Sequence, residues 1–178
     1  MATPHQAVVV LSRALDQAGD ALASIHADDW DRPTPCGDWS VRQLAAHLAA
    51  APEHFLQHAR GEDVDWAAPA DVPDGQWAGH FRNHGDDLLH HWHEQPDDRA
   101  PQADMPTAEI GVHTWDLVRA LGRPQPLDDE VAERAAAFMR QGLTDENREG
   151  AFAPEVEVGA DASAYDRLAA FAGRDPRA

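Results

Sequence analysis

Ser40-Val41-Arg42-Gln43-Leu44-Ala45-Ala46-His47-Leu48-Ala49-Ala50-Ala51-Pro52-Glu53-His54-Phe55 is the stretch whose periodicity decides the fold. Val41, Leu44, Leu48, Ala51 and Phe55 step 3, 4, 3, 4 along the chain, which draws one apolar stripe on a helix. Ser40 and Gln43 make a capping box, with Trp39 and Leu44 placed as a hydrophobic staple. The helix start is thereby fixed. Pro52 has no N–H to give and should kink the helix near its fourth turn.

The same period recurs on both sides. Val8, Leu11, Leu15, Ala18, Leu22 and Ile25 step 3, 4, 3, 4, 3 and predict a helix over about Pro4 to His26. Asp28 to Asp38, with Pro33, Pro35 and Gly37, reads as a loop, as does Gly61 to Gly75. Trp77, Phe81, Leu88 and Trp92 share a face of a third helix, which Gly79 and Gly85 weaken. Gln95 to Met105 reads as a polar loop. A fourth helix begins near Pro106-Thr107, carries Ile110, Leu117 and Leu121, and stops at Gly122. A fifth runs from near Asp128 to Gly142. Phe152 to Val158 alternates weakly and suggests a short extended segment, and Ser163 to Ala172 a short terminal helix. No repeat or linker divides residues 1–178, so a single all-α domain is expected. It is a helical bundle rather than an α/β fold.

Composition removes several functions. Arginine supplies all 14 basic residues against 32 Asp and Glu, a formal charge of −18. With no lysine there is neither a P-loop nor a Schiff-base amine. The anionic surface argues against nucleic acid and against anionic membranes. Cys36 is the only cysteine, so no intramolecular disulfide forms. The short run Val8 to Leu11 is no signal sequence, and no stretch approaches the ~20 apolar residues of a membrane span. A cytoplasmic protein is expected.

The 11 histidines raise a metal question. Glu109 and His113 stand four apart on the fourth helix, so their side chains stack about 6 Å apart. Asp116 follows three residues on. This polar line borders the Ile110/Leu117/Leu121 stripe, next to the core. On the second helix His47 flanks its stripe in the same way. One ligand from the second helix and two from the fourth would give His47, Glu109 and His113, a three-ligand set with a position left open. Each of these residues alone reads first as a boundary side chain satisfied by hydrogen bonds. His54/His58 and His80/His84 repeat the spacing, and His90, His91 and His93 cluster, but most of these sit among acids and read as solvated. His84 is the exception. It falls on the Trp77/Phe81/Leu88 face, from which it could enter the same cavity as an acid, a base or a spare ligand. Cys36 precedes a helix start but reads first as a packing residue.

Two motifs together resemble a known family. Pro33-Thr34-Pro35-Cys36-Gly37-Asp38-Trp39-Ser40 through His47-Leu48 is similar to the start of the metal-binding domain of mycothiol-dependent maleylpyruvate isomerases, in the DinB-like (YfiT-like) superfamily of four-helix bundles. Glu109 to Gly122 resembles that family's E-x-x-x-H-x-x-D-L-x-x-A-x-G. The tail from Ala162 to Pro176 resembles the ending of a short, single-domain actinobacterial branch. The resemblance implies a DinB-like four-helix bundle with an additional short C-terminal helix. It implies that His47, Glu109 and His113 hold a divalent metal, zinc by default, with Asp116 supporting the site or carrying a proton. It further implies mycothiol as a cosubstrate and a small electrophile as substrate. The activity expected is thiol transfer or isomerisation, in a monomer or homodimer. The isomerases themselves carry a further C-terminal domain. The rival reading is a non-catalytic helical bundle that binds a metal or a small ligand.

Overall fold

A computed structural model describes residues 4–148, 150 and 152–178. Six α-helices follow one another: α1 (Pro4–Ala23), α2 (Val41–Ala59), α3 (Trp77–His93), α4 (Asp104–Leu121), α5 (Asp129–Gly142) and α6 (Ala164–Phe171). Among the described residues no strand forms, and no helix is long and apolar enough to cross a membrane. α1 packs on α3 and α4, and α2 packs on the same two helices. The first four helices therefore make a four-cornered bundle with α1 and α2 at opposite corners. α5 lies on α4, and α6 covers α5 and α4. Leu11, Leu44, Leu48, Phe81, Leu88, Ile110 and Leu117 are fully buried at its centre. These are the residues that the 3-4 spacing puts on the inner stripes.

Local chemistry sets the helix ends. Ser40 Oγ accepts from the Gln43 N–H, and Gln43 Oε1 accepts from the Ser40 N–H, which completes the expected capping box. α2 runs on through Pro52 to Ala59 without a break. α3 is unbroken as well, because Gly85 lies where Leu15 of α1 presses in; a Cβ there would meet Leu15 Cδ2 at 3.3 Å. α4 starts two residues earlier than the sequence suggests, since a 3₁₀ turn at Ala100–Ala103 leads directly into it. It ends at Gly122, whose φ of 64° supplies the left-handed cap. Asp128 and Ser163 cap α5 and α6.

Residues 152–158 form no strand. There is no second strand beside them to pair with. The Val156 N–H instead donates to Ala170 O at the end of α6, where helix carbonyls lack internal partners.

Candidate metal centre

The connection into α2 is a tight loop rather than free chain. The Thr34 N–H and hydroxyl both donate to Trp39 O, and the Cys36 N–H donates to Thr34 Oγ1. Val41 and Arg42 N–H groups bond back to Arg32 and Trp30 carbonyls. This loop sets Cys36 and Trp39 at the rim of a cavity of about 940 Å³. α2 contributes His47 and Phe55 to its wall, α4 Glu109, Val112 and His113, and α5 Phe138 and Met139. The lining is mostly apolar, with a few polar groups gathered at one place, as in small-molecule sites.

Those polar groups are the ones the spacing singled out. Glu109 Oε1 accepts from His47 Nε2 and from His113 Nε2, each at 3.1 Å. The two rings meet edge to face with centroids 4.9 Å apart, and Trp39 packs tilted against His47 at 4.8 Å and stacks on His113 at 6.3 Å. The ligand atoms of His47, Glu109 and His113 all lie within 4.8 Å of one another. Two imidazoles and one carboxylate are a borderline-metal donor set, so the residues fit a divalent ion such as zinc.

Behind His113 stands a second layer. The His113 Nδ1–H donates to Asp116 Oδ2 at 3.1 Å. Asp116 is fully buried and is gripped by both arms of Arg174, Nε on Oδ1 at 3.1 Å and Nη2 on Oδ2 at 2.8 Å. Arg174 Nη2 also reaches Cys36 Sγ at 3.5 Å. The guanidinium is delivered by the turn after α6. Gly173 there has φ 85°, and a Cβ would fall 2.4 Å from Ala153 O. Only glycine passes.

Charge follows geometry. Burial pushes the Glu109 carboxyl up, but the His113 and His47 rings outweigh it and hold the group well below the usual carboxylate range. Burial acts against protonated His113, yet the Glu109 charge and the bonds with Asp116, Cys36 and Glu109 raise it well above an ordinary histidine. Asp116 is pushed up by burial and pulled down further by His113 and Arg174, so it stays ionised. The metal-free site is thus an imidazolium clamped between two carboxylates.

Other expectations need correction. His84 does not enter this cavity. It sits on α3, which packs on α1 and α2 rather than beside the site, and its Nε2 lies 3.9 Å from Glu53 Oε2. His80 is not solvated; its Nε2 is buried next to the same glutamate. His91 Nε2 is buried too, whereas His90 is exposed as expected. His54 is buried against Trp66 rather than solvated, whereas His58, on the same ring, is exposed as expected. The spacing gave no sign of Arg174, nor of Cys36 as its neighbour. A single arginine after a short helix carries no periodic signal, and only the turn at Gly173 hints that the chain changes direction there.

A family model described as the mycothiol maleylpyruvate isomerase N-terminal domain matches residues 11–125. Two uncharacterized proteins of Mycobacterium tuberculosis, one from strain CDC 1551 / Oshkosh and one from strain ATCC 25618 / H37Rv, are similar. Each is 30% identical over 184 residues, which covers 93% of this chain and 96% of the relative. No solved structure matches. The matched region holds His47, Glu109, His113 and Asp116, and Arg174 lies beyond it. By its matched length and its helical bundle, the chain belongs to the mycothiol maleylpyruvate isomerase N-terminal domain family, of DinB-like fold.

Proposed function

We propose that this protein is a divalent-metal-dependent enzyme that joins a small thiol, of the mycothiol class, to an electrophilic carbon or uses that thiol to catalyse an isomerisation. The observation that carries this reading is the convergence of His47, Glu109 and His113 at the wall of a largely apolar cavity. When bound there, a divalent ion would favour the thiolate form of the cosubstrate.

The chain's own residues divide the remaining work. His47 and His113 offer Nε2 and Glu109 offers Oε1 as ligands. Asp116 holds the proton on His113 Nδ1, which keeps the Nε2 lone pair directed at the ligand position. Arg174 keeps Asp116 ionised and in place. Asp116 is fully buried behind His113, so it acts as a positioning residue rather than by touching substrate. Phe55, Val112, Phe138 and Met139 exclude water from the reacting carbon.

Metal content of the untagged protein, wild type beside His47→Ala, tests the reading. About one metal per chain assigned to this site, lost in the variant with the helical signal intact, is the expected result. A metal-reconstituted protein that then consumes a thiol in the presence of electrophiles would complete it. No metal at this site after zinc is supplied would sink the enzyme reading.

A further inference from the structure

Glu53, His80 and His84 form a second cluster, outside the cavity. His80 and His84 are one turn apart on α3, with ring centroids 4.4 Å apart. Glu53 reaches them from α2, its Oε2 lying 3.6 Å from His80 Nε2 and 3.9 Å from His84 Nε2. All three ligand atoms lie within 4.8 Å of one another.

These separations are too long for hydrogen bonds. His80 Nε2 is buried and has no hydrogen-bond partner. An unbonded buried nitrogen costs free energy, and its nearest charged neighbour is a carboxylate oxygen. Asp71, on the α2–α3 connection, adds negative charge near His80. Tetrahedral zinc with bonds of ~2.0–2.1 Å sets its ligands about 3.3 Å apart. The two Glu53–histidine separations, 3.6 and 3.9 Å, stand a few tenths of an ångström above that spacing. Glu53 and His84 are partly exposed, with side chains 40% and 30% accessible, so an ion has a way in.

We propose that Glu53, His80 and His84 are a second divalent-metal site, for zinc or another borderline ion, that clamps α3 to α2. None of the three lines the cavity. α2 also carries His47, so the clamp would fix the helix that presents one ligand of the first site. The inference stands on its own geometry and does not need the enzyme reading.

The test uses the untagged full chain, stripped with a chelator, incubated with zinc chloride and desalted. Retained zinc is counted by elemental mass spectrometry for wild type, Glu53→Gln, His84→Ala, His113→Ala and the double variant His84→Ala/His113→Ala. Circular dichroism establishes that each is folded. Glu53→Gln and His84→Ala should each retain one zinc fewer than wild type, and the double variant none. A count that neither Glu53→Gln nor His84→Ala lowers overturns the proposal. So does zinc that His113→Ala alone removes completely. If His113→Ala keeps the wild-type count while His84→Ala loses a zinc, the second site stands and the reading of the first falls.

Discussion

Asp116 decides which nitrogen His113 shows to the cavity. Its carboxylate accepts the Nδ1 proton, and Arg174 holds that carboxylate from behind. Asp116→Asn keeps the shape but can present an amide N–H to Nδ1, which admits the wrong tautomer. Metal affinity should fall about 10–100-fold, as for other partners of ligating histidines. Competition with a zinc chelator measures it, beside an unchanged helical spectrum; equal affinity would remove Asp116 from the site's function. Glu109, His113 and Asp116 were legible because a helix repeats every 3.6 residues, so spacings of 4 and 3 become contacts. His47 was legible from its own helix as a boundary residue, and joined the other two only through the expectation that the second and fourth helices face each other, since a contact between two helices is not a spacing. Arg174 meets Asp116 across 58 residues, with a left-handed glycine turn between helix and side chain. No local rule reaches that far.

At the scale of elements, Asp29 fastens the α1–α2 connection to the end of α4. It accepts from Arg123 Nη2 at 2.6 Å, from Arg32 Nη1 at 3.1 Å and from the His26 N–H at 2.9 Å. The Arg123 bond, with the His26 N–H behind it, holds the Asp29 carboxyl well below the usual carboxylate range. A carboxyl with a folded pKa below its unfolded value of ~3.9 stabilises the fold fully above that value. The contribution drains away as pH falls toward the folded pKa. Acid unfolding followed from pH ~5 to ~2 should therefore be steeper in wild type than in Asp29→Asn, which is already weakened at neutral pH. Parallel profiles would show that the fastening carries no stability. Helix ends with a side-chain or glycine signature, at Ser40, Gly122, Asp128 and Ser163, could be read before folding. The start of α4 could not, because a 3₁₀ turn flows into it with no change of residue type. The alternation at 152–158 forms no strand for a physical reason: a strand needs a neighbour, and α6 occupies that place.

The whole molecule carries a charge of −18 on a bundle of modest size. Such a chain repels itself when folded. Raising salt from ~10 mM to ~150 mM shortens the screening length from about 30 Å to about 8 Å. The Tm should rise over that range in a thermal melt at pH 7. A falling Tm would mean that surface pairs such as Arg13–Glu130, which salt also weakens, outweigh the repulsion. The bundle itself follows from four apolar stripes, but the corner each helix takes does not, because stripes specify burial and not neighbours. The positions of α5 and α6 matter most for the site. α2 and α4 already touch without them, while Arg174 arrives only when α6 has docked. Until that moment Asp116 faces His113 Nδ1 without the guanidinium behind it. A divalent ion offered to a refolding chain would meet a less firmly held ring than one offered to the finished fold. If the site takes a metal, the order in which metal and renaturing buffer are mixed should change the yield of loaded molecules.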